Sequence, residues 1–162
     1  MTERLTDLAS DLWRLRELLE LLLFKLEEEQ VLLAAGRTRW VAHATREVEL
    51  VLGQIRQAEQ TRAAHTREVA AALGLPADVS MVILANRAPA PWGDLLHQHR
   101  RAFLALTAEI TALAKANRDL ASNCRRAARE ALMMVNGAVQ TYGSRGEAVT
   151  GERRARLVDE AI

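Results

Sequence analysis

One heptad ladder occupies much of the C-terminal half of this chain. From Leu96 the positions Leu96, His99, Phe103, Leu106, Ile110, Leu113, Asn117, Leu120, Cys124, Ala127, Ala131, Met134 and Ala138 alternate three and four apart. That spacing keeps one stripe of an α-helix turned toward a partner. Two shorter ladders precede it. The first runs Leu5, Leu8, Leu12, Leu15, Leu19, Leu22, Leu26 and, after a missed beat at Glu29, Leu33. The second runs Val41, Ala44, Val48, Val51, Ile55, Ala58, Arg62, His65, Val69, Ala72. At a rise of 1.5 Å per residue, a helix over Gly93–Asn136 spans about 65 Å, against about 45–55 Å for either earlier one. The longest ladder therefore predicts an apolar helical end that the other two do not reach.

The segments between the ladders read as stops. Trp13, Leu18, Leu23 and Phe24 widen the first stripe beyond a two-stranded seam, as suits a helix with two neighbours. Gly36 supplies a C-terminal stop, and Thr38 is placed to cap the next helix. In the second ladder Arg62 and His65 occupy seam positions, so packing there is expected to be wet or interrupted. Gly74 and Pro76 end that helix. Residues 78–85 hold Val79, Met81, Val82, Ile83 and Leu84 and predict a short helix closing one end of a bundle, although their β-branched content also allows a strand. A loop over 86–93 follows, with Gly93 or Asp94 starting the long helix, and Asn136–Gly137 either terminates or kinks it. The expectation is an all-α fold: an antiparallel bundle or coiled coil of three long helices plus one short helix over 1–142, then a flexible, charged C-terminal tail over 143–162.

Composition agrees. Hydrophobic residues make up 49% and aromatics only 4%, which favours long helices over a sheet. Twenty Arg and two Lys offset 21 acids for a net charge of +1, so nothing calls for nucleic acid, although Arg125, Arg126 and Arg129 cluster. The single Cys124 excludes an intramolecular disulfide and fits a reducing compartment. No apolar run reaches transmembrane length, and Glu3, Arg4 and Asp7 do not read as a signal peptide. A cytoplasmic protein is expected.

Catalytic constellations are hard to find. His97 and His99 are two apart and diverge on a helix, and neither Glu-x-x-His nor His-x-x-x-His occurs. His43, His65 and His97 are each conceivable phosphoacceptors, but no motif selects one; surface or half-buried histidines are expected. Cys124 lies on the seam among alanines as a small buried thiol. Asn117, also on the seam, reads as a register-setting polar residue. There is no Gly-rich phosphate loop and no carboxylate pair with a pocket. The expectation is a protein that is not an enzyme, with no cofactor and no metal.

The end of the long helix differs. Leu132, Met133, Met134, Val135 and Val139 crowd apolar side chains onto more than one face, and adjacent methionines suit a surface that adapts to its partner. Either residues 78–85 or the tail cover this cluster, or it is a docking site for another helix.

Four stretches resemble the FlgN family of flagellar export chaperones, which hold hook-associated proteins of the hook–filament junction before secretion. They are EEEQVLLAAGRTRWVAHATREVELVL (27–52), Trp92 leading into LLHQHRRAFLALTAEITAL, KANRDLASNCRRAAREALMMVNGAV (115–139), and TYGSRGE (141–147). The last is similar to a Tyr-Gly-x-x-Gly element after the family's long helix and is the most specific. The resemblance implies a cargo-binding C-terminal region, mapped to Asn117, Cys124, Arg125, Arg129, Ala131, Leu132, Met133, Met134, Val135 and Val139. It also implies delivery of hook-associated flagellar proteins to the flagellar export gate, with Tyr142 as the docking residue. A homodimer through the cargo surface is compatible with the same stripe. The rivals are a structural coiled-coil oligomer and a histidine-phosphotransfer-like bundle.

Overall fold

A computed structural model of the chain describes the backbone of residues 1–141 and the side chains of residues 1–135. The side chain of Val139, Tyr142 and the tail expected over 143–162 lie outside the described residues. Four α-helices follow one another: α1 (Thr2–Ala34), α2 (Thr38–Ala72), α3 (Met81–Arg87) and α4 (Trp92–Thr141). The described residues contain no strand, so the strand alternative for 78–85 is settled in favour of a helix. The chain divides into two compact units, Met1–Leu120 and Ala121–Ile162.

The first unit is built on two glycine stops. Gly36 takes φ 64° and Gly74 takes φ 68°, left-handed conformations that a side chain disfavours. At the first, Arg37 N–H donates to Leu32 O at 2.9 Å and Gly36 N–H to Leu33 O at 3.2 Å; at the second, Leu75 N–H donates to Ala70 O at 2.9 Å and Gly74 N–H to Ala71 O at 3.1 Å. Both are Schellman closures, which satisfy the last carbonyls of a helix. Thr38 is a correction. It is the first residue of α2, and the capping position is Arg37, with no side-chain cap bond. The Schellman turn already fixes the chain direction there.

α1 and α2 pack antiparallel, with Asp11 against His65, Lys25 against Glu47, and Glu29 against Thr45. The N-terminal part of α4 runs parallel to α1: His99 meets Trp13, and further along Asn117 meets Leu26 and Glu29. Leu5, Leu8 and Leu12 of α1, Val69 and Ala70 of α2, Leu84 and Ala85 of α3 and Leu96 of α4 form one buried cluster. Each fully buried leucine there contributes about 1.5–3 kcal/mol of transfer free energy. A second cluster gathers Leu22, Leu26, Val48 and Val51, with Ile110 and Leu113 packed against it.

α3 starts later than the sequence suggests. Ser80 is its N-cap, its hydroxyl accepting from Ile83 N–H at 3.4 Å, so the helix occupies Met81–Arg87 instead of 78–85 and takes Asn86 out of the expected loop. α4, by contrast, begins earlier than expected, at Trp92, one residue before Gly93. A Cβ on Gly93 would stand 2.7 Å from Ala85 O, so only glycine lets the start of α4 lie against the backbone of α3. α4 also runs on through Asn136 and Gly137 to Thr141, so that pair does not terminate it.

Candidate functional site

α1 has 33 residues, α2 35 and α4 50, or about 50, 53 and 75 Å of helix at the standard rise. Within the first unit the seam of α4 is covered. Leu96 and His99 are buried, Phe103, Leu106, Ile110 and Leu113 are half-buried, and Asn117 is buried. Asn117 ends this stretch with a polar layer. Its Nδ2 donates to Leu26 O at 2.8 Å and to Glu29 Oε2 at 3.0 Å, while Glu29 Oε1 accepts from Thr45 Oγ1 at 2.6 Å. The missed beat at Glu29 and the seam position of Asn117 are therefore one feature, joining all three long helices. Spacing within a single helix marks each residue as irregular but carries no signal of their partnership.

In the second unit the same ladder lies open. Cys124 is half-buried, and Arg125, Arg126, Ala127, Arg129 and Ala131 are exposed. Leu132, Met133, Met134 and Val135 are 63%, 73%, 74% and 58% exposed. Four consecutive large apolar side chains turned to solvent are an interaction signature, since soluble chains seldom leave such clusters bare. The buried residues of α3, Leu84 and Ala85, belong to the cluster around Leu5 and Leu96. Arg125, Arg126 and Arg129 form no ion pair among the described residues, and their helix carries this basic group one to two turns before the apolar one. Of the sequence-predicted site residues, 124–135 thus share one helical segment, while Asn117 belongs to the first unit.

The histidines are held individually. His43 Nε2 lies 3.1 Å from Glu47, His65 Nδ1 lies 2.6 Å from Asp11, and His97 Nε2 lies 2.9 Å from Asn86 Oδ1. The hydrogen bond that His65 donates to the Asp11 carboxylate raises its pKa above the ordinary 6.5, outweighing partial desolvation. Arg62, the other polar seam residue, bonds Glu59 at 2.7 Å. His99 holds a seam position of the ladder. It is 1% exposed, its ring meets Trp13 edge-on at 4.8 Å, and neither nitrogen has a hydrogen-bond partner among the described residues. Burial, with a smaller push from the Arg16 charge, lowers its pKa and keeps the imidazole neutral. No group of three or more His, Cys, Asp or Glu among the described residues is placed to hold a metal ion. No helix among them is long and apolar enough to cross a membrane.

The described chemistry is thus that of a helical scaffold whose last helix carries an exposed apolar and basic segment. No curated protein and no solved structure matches the chain. A family model, however, matches nearly all of it. With residues 1–150 covered by the FlgN protein model, the chain belongs to the FlgN family of flagellar export chaperones.

Proposed function

We propose that the chain is a non-enzymatic, cytoplasmic chaperone of type III flagellar export whose cargo is a hook-associated protein, bound through its C-terminal amphipathic helices. The observation that carries this reading is the exposed Leu132–Val135 segment at the end of an otherwise covered heptad ladder. A cargo helix laid on that segment completes the ladder, with Ala131 and Met134 on the seam and Leu132 and Val135 beside it, while Met133 adds apolar surface on the neighbouring face. Arg125 and Arg129 then meet acidic residues at the rim of the groove. Cys124 lies where the covered stretch gives way to the open one, and Asn117 fixes the register of α4 below it. The thermodynamics is coupled folding and binding: a disordered cargo end orders on the apolar stripe, and its own assembly surface is blocked meanwhile.

Family membership supports the class of partner, and the resemblance of TYGSRGE to the family's Tyr-Gly element supports a role for Tyr142 in docking at the export gate. Pull-down from the native lysate tests the cargo assignment, comparing the full chain with one ending at Leu120. Capture of hook-associated proteins by the full chain alone is the expected result. Equal capture by the shortened chain would move the site off α4's end. For the gate, Tyr142→Ala is expected to keep cargo and lose export; normal secretion by that variant would remove Tyr142 from the role.

A further inference from the structure

α2 carries a second heptad-spaced line besides the one it buries. Arg39, His43, Arg46, Leu50 and Gly53 alternate four and three apart. At about 100° per residue they fall within an arc of about 80°, on the side of α2 away from its buried Ala44, Val48 and Val51. The first four are exposed, Leu50 at 69%. No acid lies between Glu29 and Glu47, and both of these are engaged: Glu29 by Asn117 and Thr45, Glu47 by Lys25 and His43. Arg39 and Arg46 have no ion pair among the described residues, and neither has Glu49, which stands beside the line, about 80° round the helix from Arg39. The Arg39 guanidinium lies over the exposed Trp40 ring at 4.9 Å. Gly53 has no evident role inside the fold. Its φ is not positive, and a Cβ there would meet only the end of the Arg56 side chain, at 4.0 Å. Glycine inside a helix is destabilising relative to alanine, so its use there suits a close approach by something else.

We propose that this line of α2 docks an acidic amphipathic helix of another protein, laid along it from Arg39 to Gly53. The heptad spacing calls for a helix, because only a helical partner keeps a straight seam against positions four and three apart. The charge calls for acids. Two arginines seven residues apart, with no carboxylate of their own chain to use, match two carboxylates seven residues apart on the partner. Leu50 then supplies an apolar knob, and the missing side chain at Gly53, one turn on, leaves a notch where the partner backbone comes close. Arg39 is already held against Trp40, so it loses little freedom on binding, and Arg and Trp are the residue types that dominate binding energy at interfaces. The proposal does not rest on the cargo reading: this line belongs to the first unit, and the Leu132–Val135 segment to the second.

Fluorescence anisotropy tests the proposal with the full chain and a labelled synthetic helix of three heptads. The probe carries glutamates seven apart on its seam and leucines at the remaining seam positions. The full chain is expected to bind it. Glutamine in place of the seam glutamates should weaken binding about tenfold or more, and Arg46→Glu should do the same. A probe with arginine at the facing position should recover most of the loss in the Arg46→Glu chain. Gly53→Leu adds a better helix former in open space, so its melting temperature should hold or rise while binding falls about tenfold or more. No binding by the wild-type chain up to the solubility limit of the probe overturns the proposal. So does binding that is indifferent to Arg46→Glu or to Gly53→Leu. Two parallel measurements read the other occupants. Co-sedimentation with phosphatidylglycerol–phosphatidylcholine vesicles that is lost in Arg46→Glu but kept in Gly53→Leu would assign the arginines to a lipid surface and overturn the proposal. Self-association of the free chain that is lost in both variants would assign the line to a second copy and overturn it equally.

Discussion

At Leu96 and His99 the seam of α4 is closed to solvent, whereas at Met134, further along the same seam, nearly three quarters of the residue faces it. The two stretches share one helix and one heptad phase, and they differ in what surrounds them. Around Leu96, side chains from α1, α2 and α3 form the cluster. Around Leu132–Val135 the helix stands among exposed neighbours from Arg125 onward. A heptad repeat states that a helix face wants a partner; only the lengths of the other helices state whether the chain supplies it. The covered stretch is accordingly where stability resides, and the open one is where binding is expected.

Substitutions that separate stability from binding probe this contrast. The largest effect on stability is expected for Leu96→Ala, at about 2–5 kcal/mol for a buried leucine, while Met133→Ala should stay within about 0.5 kcal/mol. Urea denaturation of the two variants checks the difference, and a comparable loss at Met133 would mean that its surface is packed in the free protein. Gly93→Ala comes next, at about 1–3 kcal/mol, because the added methyl meets the Ala85 carbonyl and α4 must shift away from α3. The same denaturation series reads it; a neutral result would show that the two helices approach less closely. Asn117→Ala should cost about 1–3 kcal/mol by leaving Glu29 without its amide donor in a half-buried layer. Glu29→Ala in the same background should then add little, as a double-mutant cycle would show.

Smallest are two pH effects of opposite sign. His65 is stabilised in its charged form, so its contribution is fully present below pH 6.5 and is lost as the pH rises through its raised folded value. His99 is held neutral, so its contribution is present above pH 6.5 and is lost as the pH falls through its lowered folded value. Thermal melts across that range should show the acid-side loss reduced in His99→Leu and the alkaline-side loss reduced in His65→Gln. An acid limb unchanged in His99→Leu would assign it to the carboxylates instead.

Much of this architecture is legible from periodicity and punctuation. The three ladders mark the three long helices, and Gly36 and Gly74 mark their stops because a left-handed closing residue is a local requirement. The features that escape are those made between helices. Glu29 and Asn117 each look like a fault in a separate ladder until they meet. His99 sits at a seam position, but its neutral burial depends on Trp13 arriving from α1. Gly93 resembles a loop residue, and its need for close approach comes from Ala85 on α3. Asn136 and Gly137 carry poor helix propensity, about 1 kcal/mol per glycine, yet α4 continues through them. For the candidate site, the apolar cluster could be read from composition. Its exposure could not, because the sequence offers both residues 78–85 and the tail as covers and periodicity does not choose between a covered and an open cluster.

The central claim is that α4's exposed end binds cargo without contributing to the fold. Met133→Asp combined with Val135→Asp tests it most directly, with the melting temperature and the affinity for the terminal helices of a purified hook-associated protein measured on the same sample. The account predicts loss of binding with helicity and melting temperature unchanged. Unchanged affinity, or a chain that no longer folds, would contradict it.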